Sequence, residues 1–168
     1  MPEISGNAVI LSADISANEI LDPAWYGTEL NTQDDRTFAQ SDTSLGQTEH
    51  PVLMVGANFG YGSANESVVI ALQKAGVRAI VGTEFPNYFF RNALNAGLPV
   101  FTIAEPLAKF TTDEPVTIDT SDGTIRKTES DEVLTAGPQP EFVQRLMDIG
   151  GITTYLRTLK SQTTKEKL

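Results

Sequence analysis

The residues best suited to chemistry lie in one run, Gly56-Ala57-Asn58-Phe59-Gly60-Tyr61-Gly62-Ser63-Ala64-Asn65-Glu66. Glycine admits positive φ and lets the backbone come close to a ligand. A helix beginning just after Ser63 would also aim unpaired amides and the positive end of its dipole at the same place. The natural occupant is an anion, cradled by Gly60, Tyr61 and Glu66 with the Ser63 hydroxyl against it. A structural account competes, because Ser63 and Glu66 have the S-x-x-E spacing of a capping box, in which the serine oxygen accepts the third helical amide. The sequence leaves both accounts open. Two nucleotide-binding readings fail on spacing. A Walker loop needs a lysine after its glycines and none follows here, and the dinucleotide fingerprint begun at Gly60 would need glycine where Asn65 stands.

The run must be placed by the elements on either side of it. Val52–Val55 precedes it as a short apolar strand, and a helix is expected over Ala64–Ala75, with Val68, Ala71, Leu72 and Ala75 on one stripe and Gly76 at its end. A strand at Arg78–Val81, a helix at Asn87–Ala96 closed by Gly97, and a strand at Pro99–Ile103 complete a βαβαβ pattern. The strands are apolar without alternation, as parallel strands covered on both faces are. The fold class is therefore α/β with a parallel centre. Beyond Thr111, Val116–Ile118 and Thr124–Lys127 flank the turn sequence Ser121-Asp122-Gly123 and predict an added antiparallel hairpin. A last helix carries Phe142, Leu146 and Ile149 up to Gly150-Gly151. Residues 1–160 read as one domain and 161–168 as a polar, frayed tail. Thr28–His50 is a polar stretch longer than an ordinary connection, and such loops are functional or disordered.

Composition sets the outer limits. With 168 residues the chain can bury a core without disulfides. No apolar run reaches the roughly 20 residues of a membrane span, and no secretory or transit segment is evident, so membrane is excluded as a partner and a cytoplasmic address is expected. A net charge of −10, with no basic cluster before Lys160, Lys165 and Lys167, opposes binding to nucleic acid. There is no cysteine and one histidine, His50, so no metal site and no cofactor is expected in this chain. His50, Asp34-Asp35 and Asp113-Glu114 read as solvated surface. Tyr26, Phe59, Tyr61, Tyr88, Phe89 and Phe90 read as core or interface.

The central run resembles the N-F-G-x-G-S-S-R-E segment of the aconitase and isopropylmalate isomerase family, where a strand leads through it into a helix. Three further stretches are similar to that family. Phe85–Phe90 with Arg91–Pro99 follows its F-x-x-I-F-x-x-N-x-x-x-x-G-L-P signature, Asp14–Leu21 its N-I-D-T-D-x-I-I, and Pro23–Tyr26 its P-x-x-Y-L. The resemblance covers most of the chain, and its length is that of the separate small subunit. It implies an aconitase swivel-type β/β/α domain, a hydro-lyase of leucine biosynthesis, a small 2-hydroxy acid substrate, and a partner large subunit carrying a [4Fe–4S] cluster. It further implies that Ser63 is the base for the carbon-bound proton, its alkoxide stabilised by amides of this loop. Gly62, Ala64, Asn65 and Asn18 would then lie at the substrate.

The chain departs from the family at those polar positions. Asn65 replaces the arginine that grips a substrate carboxylate, Ala64 the second serine, Asn18 and Ser16 two aspartates, and Gly27-Thr28 follow Tyr26 where an arginine is often found. The bidentate charged clamp is gone, and charge-assisted hydrogen bonds are roughly twice as strong as neutral ones. These changes fit a site retuned for a substrate with one carboxylate fewer, or with an amide or ester there. The alternatives are a non-catalytic, regulatory paralogue that binds the large subunit and a free-standing anion-binding module.

Overall fold

The computed structural model describes residues 3–11, 14–28, 37–38, 45, 48–104, 109–130 and 132–165. Its strands are β1 (Glu3–Leu11), β2 (Pro51–Val55), β3 (Ala79–Gly82), β4 (Val100–Thr102), β5 (Pro115–Asp119), β6 (Thr124–Lys127) and β7 (Val133–Thr135). Its helices are α1 (Ala17–Ile20), α2 (Ser67–Lys74), α3 (Asn87–Ala96), α4 (Glu141–Ile149) and α5 (Ile152–Lys165), with a 3-10 turn at Pro23–Trp25. All seven strands form one mixed sheet in the order β4-β3-β2-β1-β5-β6-β7.

The parallel βαβαβ centre expected from the sequence is present, and β1 joins it by running parallel to β2. The expected hairpin is β5 and β6, but the antiparallel addition is larger, because β5 pairs with β1 and β7 extends β6. Strand β1 is thus the hinge between the two halves. It escapes a sequence reading because Ser5-Gly6-Asn7 interrupts its apolar pattern. Gly6 is needed there, since a Cβ would stand 2.1 Å from the His50 carbonyl oxygen.

Alternate residues of the strands feed two cores. Val9, Leu11, Leu53, Val55, Ile80 and Val100 face the side on which α1, α2 and α3 lie and pack with Ile20, Val68, Leu72, Phe89 and Ala93. Ala8, Val52, Met54, Val81 and Phe101 face the other side and share a buried cluster with Val116, Ile118, Ile125 and Leu134 of the antiparallel half and with Phe110. Apolar burial on both faces explains why these strands read as continuous apolar runs. Helices α4 and α5 pack against α3. Gly97, in the left-handed conformation, and Gly151 approach so closely that a Cβ on Gly97 would lie 2.5 Å from the Gly151 nitrogen. Helix α5 runs to Lys165, into the segment that reads as a tail.

Two smaller expectations need correction. Asp113 and Glu114 are not merely solvated. Asp113 accepts the Thr48 hydroxyl at 2.8 Å, and Glu114 pairs at 3.4 Å with the mostly buried Lys127, which also pairs with Glu132. Asp34-Asp35 and most of Thr28–His50 lie outside the described residues. Phe38 of that stretch is buried, and its N–H donates to the Ile20 carbonyl at 2.9 Å.

Candidate functional site

The connections leaving β1, β2 and β3 start at the carboxyl ends of three neighbouring parallel strands. That edge of an open α/β sheet is where ligands are bound. The loop after β2 is stitched between the other two connections. The N–H of Gly60 donates to the Ile15 carbonyl at 2.8 Å, the Ala17 N–H donates to the Tyr61 carbonyl at 2.7 Å, and the Asn58 N–H donates to the Glu84 carbonyl at 3.1 Å. Asn58, Gly60 and Gly62 all have positive φ, which turns the chain sharply. Gly60 is there for a second reason: a Cβ would stand 2.2 Å from the Phe89 ring. Phe59 packs edge-on against the same ring at 5.5 Å.

Ser63 is held from α3 on both sides. The Gly62 N–H donates to the Tyr88 hydroxyl at 2.8 Å, and the Asn92 side-chain amide donates to the Ala64 carbonyl at 2.8 Å. Tyr88 and Asn92 are one helical turn apart, so they grip backbone groups of the two residues that flank Ser63. No sequence reading found this pair, although the spacing of four in a predicted helix was visible.

The capping box proposed for Ser63 and Glu66 does not form. Helix α2 begins at Ser67 rather than near Ala64, and no side chain caps it at Glu66. Instead the Ser63 Oγ accepts the Asn65 N–H at 3.2 Å, and the Asn65 Oδ1 accepts the Ser67 N–H at 2.9 Å. The box forms elsewhere. Ser16-Ala17-Asn18-Glu19 repeats Ser63-Ala64-Asn65-Glu66 residue for residue. In that copy the Ser16 Oγ accepts the Glu19 N–H at 3.3 Å and the Glu19 carboxylate accepts the Ser16 N–H at 2.7 Å. Those hydrogen bonds from Ser16, hydroxyl first and amide second, hold the Glu19 carboxyl below its ordinary range.

The amides expected to cradle an anion are mostly taken. Those of Gly60, Tyr61 and Gly62 each have an acceptor within the chain, and so does that of Asn65. The N–H groups of Ser63 and Ala64 have no partner among the described residues, so these are the loop amides a ligand would meet. The same loop also borders a cavity of about 320 Å³, lined among the described residues by Asp14, Asn58 and Tyr61. Tyr61 is 42 % exposed, the most open of the loop's aromatic residues. Glu66 is exposed.

Asn18 joins the same web. Tyr26 donates its hydroxyl to the Asn18 Oδ1 at 2.8 Å, and the adjacent Gly27 N–H donates to the Ser67 Oγ at 2.9 Å. The structure thus brings Ser63, Asn65 and Asn18 into one hydrogen-bonded chain through Ser67, Gly27 and Tyr26. His50 stays away from it, exposed at the start of β2. The chain has no cysteine, and no group of three or more histidine, aspartate and glutamate side chains is disposed to hold a metal among the described residues. An iron–sulfur cluster does not fit this chain's own donors. No helix among the described residues is long and apolar enough to cross a membrane.

Comparison with known proteins is consistent along the whole chain. The aconitase C-terminal domain family matches residues 7–106. The 3-isopropylmalate dehydratase small subunit of Moorella thermoacetica is 34 % identical over 91 % of this chain and 94 % of its own. The small subunit 1 of that enzyme from Methanopyrus kandleri is 31 % identical over 92 % of each. The crystal structure of 3-isopropylmalate dehydratase from Methanocaldococcus jannaschii superposes with a TM-score of 0.85 at 25 % identity, covering 98 % of this chain and 99 % of that one.

Proposed function

This chain belongs to the family of aconitase C-terminal domains, and we propose that within it Ser63 is the base that removes and returns the carbon-bound proton of a 2-hydroxy acid. The chain is the small subunit of an aconitase-family hydro-lyase. Its partner is a large subunit that carries a [4Fe–4S] cluster, and it closes over that subunit's site with the carboxyl edge of β1, β2 and β3. That cluster would supply Lewis-acid assistance to loss of the hydroxyl. What this chain contributes is the proton transfer and the shape of the site.

One observation carries the reading. Ser63 is spared from helix capping, has both neighbouring residues held through their backbone, and takes an N–H on its oxygen. A serine hydroxyl is a poor base at neutral pH, and its alkoxide is useful only where donors are already in place. A single preorganised donor to a developing oxyanion is worth about 10²–10³ in rate. The Asn65 N–H is such a donor at 3.2 Å. The free amides of Ser63 and Ala64 supply further polarity of the same sign. Closure by the large subunit would remove water and strengthen each of these interactions.

Anaerobic coexpression with a cluster-bearing large subunit tests the reading. The expected result is a stable complex that converts 2-isopropylmalate or a related 2-hydroxy acid to its conjugated dehydration product, with neither subunit active alone. A complex that forms but turns over none of these acids would support the regulatory paralogue instead. No complex at all would support the free-standing module.

A further inference from the structure

The two asparagines at the site are oriented alike. Asn65 offers its Oδ1 to the Ser67 N–H, and because a backbone N–H can only donate, the oxygen is the atom that faces it. Asn18 accepts the Tyr26 hydroxyl on its own Oδ1. Each carbonyl end is therefore engaged inside the protein, and each NH₂ end has no partner among the described residues. The Gly27 N–H to Ser67 Oγ bond ties the segment carrying Tyr26 and Asn18 to the one carrying Asn65. Asn65 thus presents a neutral donor that cannot turn without losing the Ser67 N–H, and Asn18 presents a second while Tyr26 donates to it.

The surrounding charge is one-sided. Residues 14–28 and 56–67 contain Asp14, Glu19, Asp22 and Glu66 and no lysine or arginine. Asp14 lines the cavity itself. On α3, which packs against the loop, the cation is the exposed Arg91. Among the described residues, a carboxylate brought beside Asp14 would meet amide donors rather than a cation, and would lose its hydration without gaining a countercharge from them. A carbonyl of a carboxamide or ester would lose far less and would accept from the same NH₂ groups.

We propose that Asn18 and Asn65 are specificity-determining donors, and that the substrate of this subunit bears a neutral carbonyl, a carboxamide or an ester, at the position they face. This rests on the hydro-lyase reading above and narrows its substrate class. The test uses the assembled, cluster-loaded complex with 2-isopropylmalate and its two monoamides, measuring binding by calorimetry and turnover by absorbance of the conjugated product. The expected result is a preference of at least about ten-fold for one monoamide over the diacid, in binding and in kcat/KM. Asn65→Asp keeps the acceptor for Ser67 but removes the donor, and it should erase that preference. Asn65→Arg should reverse it in favour of the diacid. A wild-type complex that prefers the diacid, or that binds neither compound, overturns the proposal. So does a ratio that neither variant changes. If the diacid is turned over and the monoamides are not, the hydro-lyase reading survives and only this inference fails. If nothing is turned over, that reading fails, and the binding ratio still decides this one.

Discussion

The tetrapeptide Ser-Ala-Asn-Glu occurs twice in this chain, at 16–19 and at 63–66, and the two copies have opposite fates. In the first, serine and glutamate close a capping box on α1, and the hydroxyl is consumed by structure. In the second, the glutamate caps nothing, α2 starts at Ser67, and the serine is left with a single amide on its oxygen. Local sequence is identical, so the difference comes from what surrounds it. The first copy follows a strand and is free to wind into a helical turn. The second is preceded by three positive-φ residues and pinned at Gly62 and Ala64, on either side of its serine, by Tyr88 and Asn92. A motif that specifies a cap is overridden by tertiary contacts, and the result is a serine available for chemistry.

That contrast can be broken most severely at Gly60. Gly60→Ala would hold alanine at φ +79 and drive its Cβ into the Phe89 ring. The left-handed penalty of about 1–2 kcal/mol and an overpacking cost of about 1–3 kcal/mol should together lower stability by about 2–5 kcal/mol. Denaturant melts should show it, and turnover per folded molecule should fall as well because the loop is displaced. Next, Tyr88→Phe combined with Asn92→Ala removes both grips on the second copy. Two hydrogen bonds at about 0.5–1.5 kcal/mol each predict a fall in kcat of about 10- to 100-fold with KM little changed. Amide exchange at Ser63–Glu66 should show the loop moving toward the capped form.

The first copy should behave in the reverse way. Ser16→Ala removes the cap and should cost about 1 kcal/mol of stability while leaving kcat near wild type. Smallest is the pH effect. Because Ser16 holds the Glu19 carboxyl below its ordinary range, its contribution is present at neutral pH and is lost as pH falls through that lowered value. Wild type and Glu19→Gln should therefore differ in melting temperature at pH 6–8 and converge below about pH 4. Asp119 in the antiparallel half, lowered mainly by the Ser121 hydroxyl, should add an acid dependence of the same sign, lost as pH falls through its own lowered value, without touching activity.

Much of this architecture was legible in the residues. The parallel centre announced itself through short, unalternating apolar strands and through Gly76 and Gly97, which do occupy the left-handed positions that end α2 and α3. The hairpin at Ser121-Asp122-Gly123 was legible for a similar reason: Gly123 has φ +73, and a Cβ there would meet the Gly137 carbonyl at 2.0 Å. Strand β1 was hidden by its polar interruption, and β7 by having only Val133–Thr135. At the site, the glycine run and Ser63 stood out. The repeated tetrapeptide was equally visible, yet which copy would cap a helix depends on contacts with α3 that lie some 25 residues away in sequence. The orientation of Asn18 and Asn65 is likewise a tertiary fact, set through Tyr26, Gly27 and Ser67.

Ser63→Ala addresses the central claim most directly, read as exchange of the substrate's carbon-bound proton with deuterated solvent in a complex whose cluster is shown intact by its spectrum. The account predicts that assembly and melting temperature stay at wild-type values while exchange and turnover fall by at least about 10³-fold, the scale of losing an essential acid–base group. Exchange that persists at the wild-type rate would contradict it, and would leave Ser63 only its local hydrogen bond from the Asn65 N–H.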